Sequence, residues 1–162
     1  MSIKPVSVHV VVVHRGYAEA ILEGAKRVEA RLLKHRRAPY GCVRGGERLY
    51  FKVSGGAVVA SARGDSVRVY DDLTPKDVVA LEREFDADVC GGSLFWAAKR
   101  HARYAVLIDF VEVRSVFFGP DTSVLGPGAR RSAWRVLPAS ADVYPACLRR
   151  PKEAAGKLRP TG

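Results

Sequence analysis

Gly24-Ala25-Lys26-Arg27-Val28-Glu29-Ala30-Arg31 marks the point where a helical period gives way to an alternating one. Upstream, Tyr17, Ala20, Ile21 and Gly24 fall at i, i+3, i+4 and i+7, which predicts a short helix over 16–23 with one apolar face. Gly24 ends it, because the residue just past a helix C-terminus turns through positive φ that a side chain resists. Downstream, Val28, Ala30 and Leu32 alternate with Arg27, Glu29 and Arg31, which predicts a strand over 27–33 with Glu29 and Arg31 on one face. Lys26 sits in the turn, where alternation does not fix its direction.

Valine-rich 6–13 predicts a buried strand before the helix. After the second strand comes Lys34-His35-Arg36-Arg37-Ala38-Pro39-Tyr40-Gly41, a basic loop punctuated by Pro and Gly. In 48–53, Leu49, Phe51 and Val53 alternate with Tyr50 and Lys52, and Ser54-Gly55-Gly56 turns the chain into a strand over 57–63, a hairpin that 67–70 continues. Thr74-Pro75-Lys76-Asp77 carries the signals of a helix start: a capping threonine, proline at the first position and an acid at the third. A second helix is expected over 94–102, then a long strand over 104–118 with a bulge near Asp109, a Gly/Pro loop over 119–128 and a closing strand ending at Pro138. After Pro138 no apolar period remains. One domain over 1–140 and a basic, flexible tail over 141–162 are expected.

Twenty-seven Lys and Arg face 17 Asp and Glu among 162 residues, a net charge of +10, which favours a polyanionic partner such as nucleic acid. The odd, widely spaced Cys42, Cys90 and Cys147 and the lack of an apolar leader segment lead us to expect a cytoplasmic protein without disulfides. No apolar run approaches the roughly 20 residues of a membrane span, so no membrane partner is expected. The chain contains neither Asn nor Gln; both a heat-adapted source, which sheds thermolabile amides, and a GC-rich genome account for its composition. His9, His14, His35 and His101 form no metal motif, and no phosphate-cradling glycine pattern or nucleophile elbow occurs. Neither metal nor cofactor is expected.

Aromatic residues interleaved with cations suit single-stranded RNA or a splayed-out base, since ring faces stack on bases while cations hold phosphates. Arg36, Arg37, Tyr40, Tyr50, Lys52, Trp96, Lys99 and Arg135 make up this candidate set. Either tryptophan, Trp96 or Trp134, serves equally as core, its large apolar area being most useful when buried. Tyr50 and Lys52 share the polar face of their strand and are expected to line a cleft. Glu29 and Arg31 read either as a functional pair or as an ion pair bracing a rim. Lys26 beside a carboxylate can bind phosphate or, if desolvated, serve as a base.

The G-x-K-x-x-E-x-R run resembles the signature of the ASCH domain, a small β-barrel family related to the PUA fold, at all four positions: Gly24, Lys26, Glu29 and Arg31. The resemblance continues through Arg36 to Gly41, Gly45 to Lys52, Asp72 to Pro75 and Ala133 to Leu137, and spans about residues 6–138. It implies an α+β fold, a PUA-like/ASCH β-barrel of about five to seven mostly antiparallel strands flanked by about three short helices. It also implies a cleft at the signature, where Lys26, Glu29, Arg31 and Lys52 would line a site for a nucleotide or a single-stranded RNA segment. The alternative it implies is a hydrolase on the same cleft, a ribonuclease or an amidohydrolase acting on a modified nucleoside, with Lys26 and Glu29 catalytic. In the amidohydrolase branch a threonine stands where this chain has Glu29. That departure removes the hydroxyl and leaves a carboxylate able only to act as a base toward water.

Overall fold

Ser7–Val13 forms β1, and its inward residues His9, Val11 and Val13 start the interior of a curled sheet. In the computed structural model, which describes residues 7–143, six strands lie in the order β2-β5-β4-β3-β1-β6. They are β1, β2 (Val28–Leu33), β3 (Arg48–Val53), β4 (Val58–Tyr70), β5 (Tyr104–Ser115) and β6 (Trp134–Pro138). All pairs are antiparallel except β1 with β3, which run parallel with Val8 opposite Arg48. The helices are α1 (Arg15–Glu23), α2 (Pro75–Val89), α3 (Gly92–Ala98) and a single turn, α4 (Pro127–Arg130). This is the expected α+β fold, its six-stranded sheet curled into a half-barrel. Val6, Cys147 and the tail from residue 144 onward lie outside the described residues. No described helix is long and apolar enough to cross a membrane.

Local chemistry accounts for the element ends. Gly24 closes α1 at φ 82° and donates to the Ile21 carbonyl at 3.2 Å; an L side chain there would be strained. Thr74 and Asp77 form a reciprocal capping box with Pro75 in the first turn of α2.

Three expectations are corrected. The strands expected over 57–63 and 67–70 are one strand, β4, which passes without a break through two register shifts against β5. The β5 bulge falls at Glu112, which takes φ 58°, while opposite Asp109 the extra residue belongs to β4. The two bulges bend β4 and β5 and curl the sheet. Finally, α3 begins at Gly92 and ends at Ala98, earlier than its periodicity predicts.

The sheet buries both faces. Inside the curl, Val11, Ile21, Leu49, Phe51, Ala60, Ala62, Val106, Ile108, Phe110 and Trp134 pack together, and α1 plugs the end. Outside β2 and β5, Val28, Ala30, Leu32 and Leu107 meet Val78, Leu81, Phe85 and Val89 of α2 and Trp96 of α3. Fully burying a side chain of this size contributes about 1.5–3 kcal/mol. The alternation of β2 thus sends its apolar residues outward to the helices and Glu29 and Arg31 into the curl.

Candidate functional site

The edge strand β2 does not pair with β1 or β6, and the seam between them is crossed by a side chain. Arg31 Nη2 donates to the Val12 carbonyl at 2.8 Å. The guanidinium also donates through Nε to Glu29 Oε1 at 2.8 Å and lies 5.5 Å from the centre of the Trp134 ring. Three constraints from three strands hold one group in place.

Glu29 is 5% exposed and Lys26 is 3% exposed. Lys26 Nζ stands 3.3 Å from Glu29 Oε2 and donates to the carbonyls of Val28 and Val89, both at 2.8 Å. An ammonium has three donors, and here two carbonyls and a carboxylate surround it. The signature lysine therefore ties β2 to the end of α2 and braces Glu29. Burial raises the Glu29 pKa, but the Lys26 and Arg31 charges and their hydrogen bonds prevail, holding it below its ordinary value as a carboxylate. Glu29 Oε2 is itself out of solvent contact, with the Lys26 ammonium at 3.3 Å as its charge partner.

A cavity of about 670 Å³ opens above this pair, within the usual range for small-molecule sites. Glu29, Arg31, Leu33 and Val12 line it from the strands, Tyr17 and His14 from the start of α1, and Leu94, Phe95 and Lys99 from α3 and its end; Arg37 comes from the basic loop. The Lys26 ammonium sits 5.3 Å from the centre of the Tyr17 ring. Asp86 sets the approach of α3. Its Oδ1 accepts from Trp96 Nε1 at 2.8 Å and from the N–H groups of Gly91 and Gly92 at 3.0 Å, and the Trp96 bond, followed by those from Gly92 and Gly91, keeps the Asp86 pKa below its usual value. A side chain on Gly91 would stand 2.5 Å from the Phe95 ring, so only glycine lets that ring reach the cavity wall.

Of the residues singled out in the sequence, Glu29, Arg31, Arg37 and Lys99 line the cavity, while Lys26 lies behind Glu29. Arg36 and Tyr40 stand outside it, with Arg36 over the rings of Tyr40 and Tyr104 and the Tyr40 hydroxyl donating to Asp71 at 2.6 Å. Four expectations need correction. Tyr50 is wholly buried on the outer face of the sheet and its hydroxyl donates to Asp142 at 2.6 Å, so it lines no cleft. Lys52, on that same face, turns its ammonium to the Val53 carbonyl at 3.4 Å. Trp96 has no exposed ring face to offer a base. Arg135 opposes Val10 across β1 and β6 and donates to the Ser132 carbonyl at 3.0 Å. Alternation placed Tyr50 and Lys52 correctly on one face, but polarity misjudged which face was wet.

Tyr17 and Phe95 are the cavity residues missed as ligand contacts. Tyr17 carries a signal: it lies seven residues before Gly24, on the helix face that points at the signature. Phe95 carries none, since only the fold brings α3 to β2.

No protein-family model and no curated protein matches the sequence. Among solved structures, the ASCH protein of Zymomonas mobilis superposes with a TM-score of 0.53 at 17% identity, covering 66% of this chain and 68% of that one. A tyrosine-to-phenylalanine mutant of that protein gives a TM-score of 0.52 at 18% identity, covering 67% of this chain and 73% of its own. Identity this low speaks to architecture alone: with its curled six-stranded sheet and flanking helices, the chain has the ASCH-domain fold.

Proposed function

We propose that the protein binds RNA or a nucleotide in the cavity beside the G-x-K-x-x-E-x-R run. The observation that carries this reading is the division of labour in the cavity wall. Its floor holds the buried Glu29 carboxylate, braced by Lys26 and Arg31, its sides include the Tyr17 and Phe95 rings, and its rim bears Arg37 and Lys99. A base enters such a site by stacking on a ring, while the phosphate meets the rim cations. Arg31 is committed to Glu29, Val12 and Trp134, so its part is to shape the floor.

The hydrolase alternative has less support from the same geometry. A general base works best with a pKa near the working pH, and Glu29 is displaced in the opposite direction by Lys26 and Arg31. Lys26 is surrounded by acceptors and shielded from the cavity by Glu29.

The test is titration of nucleotides, acylated nucleosides and short single-stranded RNAs against the wild type, Arg37→Ala and Glu29→Gln, with products followed in parallel. Saturable binding that Arg37→Ala weakens about tenfold, with the melting transition unchanged, is the expected result. Absence of binding by the wild type would overturn the reading. Hydrolysis that Glu29→Gln abolishes at unchanged affinity would replace it with the hydrolase.

A further inference from the structure

Two segments distant in the chain meet at the mouth of the cavity. Lys34-His35-Arg36-Arg37 follows β2, and Lys99-Arg100-His101-Ala102-Arg103 connects α3 to β5. The Arg103 N–H donates to the Leu33 carbonyl at 2.9 Å, and the Arg36 guanidinium stands 5.2 Å from the ring of Tyr104, the next residue. Nine residues thus bring six Lys or Arg and two His side by side without a carboxylate. Acids from elsewhere answer three of them: Asp71 lies 3.6 Å from Arg36, Asp72 3.9 Å from Arg103 and Glu82 3.5 Å from Arg100. Lys34, His35, Arg37, Lys99 and His101 are exposed and have no carboxylate partner among the described residues. Leu33, Arg37 and Lys99 also line the cavity, so the basic ridge and the cavity share a rim.

We infer that this ridge carries the backbone of a single-stranded polynucleotide that places one nucleotide in the cavity and lays neighbouring phosphates across the ridge. The inference rests on reading the cavity as a nucleotide site and extends it: the partner is a strand and not a free nucleotide. Clustered exposed cations without partners repel one another, and a polyanion relieves that repulsion while releasing its own condensed counterions. The 670 Å³ of the cavity suits a single nucleotide. A base reaches it only when unstacked, which a single strand permits and a duplex resists.

The experiment compares a nucleoside 5′-monophosphate, a mixed-sequence RNA decamer and the same decamer as a duplex, over a salt series. The proteins are the wild type, Arg31→Met and the double variant Lys34→Glu/His101→Glu, whose two sites lie outside the cavity lining. The decamer should bind the wild type at least tenfold more tightly than the monophosphate at about 0.1 M salt, with a log-log salt slope near −0.7 for each phosphate neutralised. In the double variant, decamer affinity should fall about tenfold and its slope should become shallower, while monophosphate affinity stays unchanged. The inference is overturned if the decamer binds no more tightly than the monophosphate, if the double variant leaves decamer affinity and slope intact, or if the duplex binds as tightly as the strand. Monophosphate binding that Arg31→Met abolishes would then leave the cavity reading standing alone. Failure of the wild type to bind any of the three would remove both.

Discussion

Two buried glutamates sit inside the same curled sheet and differ in what surrounds them. Glu47, at the start of β3, is 1% exposed. Its Oε2 accepts from the Ser7 N–H at 2.7 Å, and its Oε1 accepts from the Arg44 N–H at 2.8 Å and meets His9 Nε2 at 3.1 Å. The Trp134 indole donates to His9 Nδ1 at 3.0 Å, which assigns the imidazole proton to Nε2 and makes that nitrogen the donor to Glu47. Every group in this hydrogen-bonded relay has its partner, and neither His9 nor Glu47 lines the 670 Å³ cavity. Glu29 is gripped by two cations, Arg31 on Oε1 and Lys26 on Oε2, and stands in the wall of the 670 Å³ cavity. A carboxylate held by backbone and imidazole donors ties strands together; one compensated by two cations in a cavity wall fixes those cations and the charge of the wall. The two are connected, since one ring of Trp134 contacts both His9 and Arg31.

The largest expected effect comes from Lys26→Met. It leaves Glu29 without one of its two compensating cations and deprives the Val28 and Val89 carbonyls of a donor, so chemical denaturation should show a loss of about 3–5 kcal/mol. A loss below about 1 kcal/mol would mean that Lys26 is not the brace the structure shows. Adding Glu29→Leu to Lys26→Met should recover part of the stability, because the orphaned charge is then gone.

Trp134→Phe tests the other network through pH. Burial lowers the His9 pKa, and the hydrogen bond and charge of Glu47 only partly oppose this. The unfolded chain then binds the proton more readily than the folded one. The His9 contribution is fully present above about pH 6.5 and is lost as pH falls toward the lower native value. Glu29, also lowered from its ordinary value of 4.5, contributes stability that is complete above about that pH and lost below it. The loss from His9 therefore sets in at a higher pH than the loss from Glu29. Trp134→Phe should cost about 1–3 kcal/mol at pH 7. Without the indole donor, Nδ1 can accept a proton to give an imidazolium whose Nε2–H faces the Glu47 carboxylate, so the stability loss below about pH 6.5 should become shallower. An unchanged pH profile would refute the assigned tautomer.

The smallest effect calibrates the others. Thr74→Ala removes one half of the α2 capping box, far from either glutamate, and should cost about 1 kcal/mol without changing either pH window. If it also shifted nucleotide affinity, α2 would be coupled to the cavity through the Lys26–Val89 hydrogen bond, and the separation of regions would be less complete than described.

Local sequence was sufficient wherever a residue's role follows from its near neighbours. The period change at Gly24, the opposite facing of Val28 and Glu29 on β2, and the Thr74 cap are set by backbone sterics and short-range hydrogen bonding, and all are present in the fold. The shared face of Glu29 and Arg31 follows from strand alternation in the same way. What lay beyond the sequence was which surfaces other elements would cover. Periodicity says that Tyr50 and Lys52 look one way, but only the packing of Val8, Val10, Val116 and Leu137 on that side makes it dry. Lys26 reads as a ligand-binding cation until Val89, sixty-three residues away, supplies a carbonyl that occupies it. Phe95 becomes a cavity wall only because Asp86 pins Gly91 and Gly92 at the start of α3. Alternation and capping are properties of a few consecutive residues, so sequence determines them; burial and the partnering of charges depend on contacts between remote segments, so only the tertiary structure decided which of the signature's charges bind the protein to itself and which face open space.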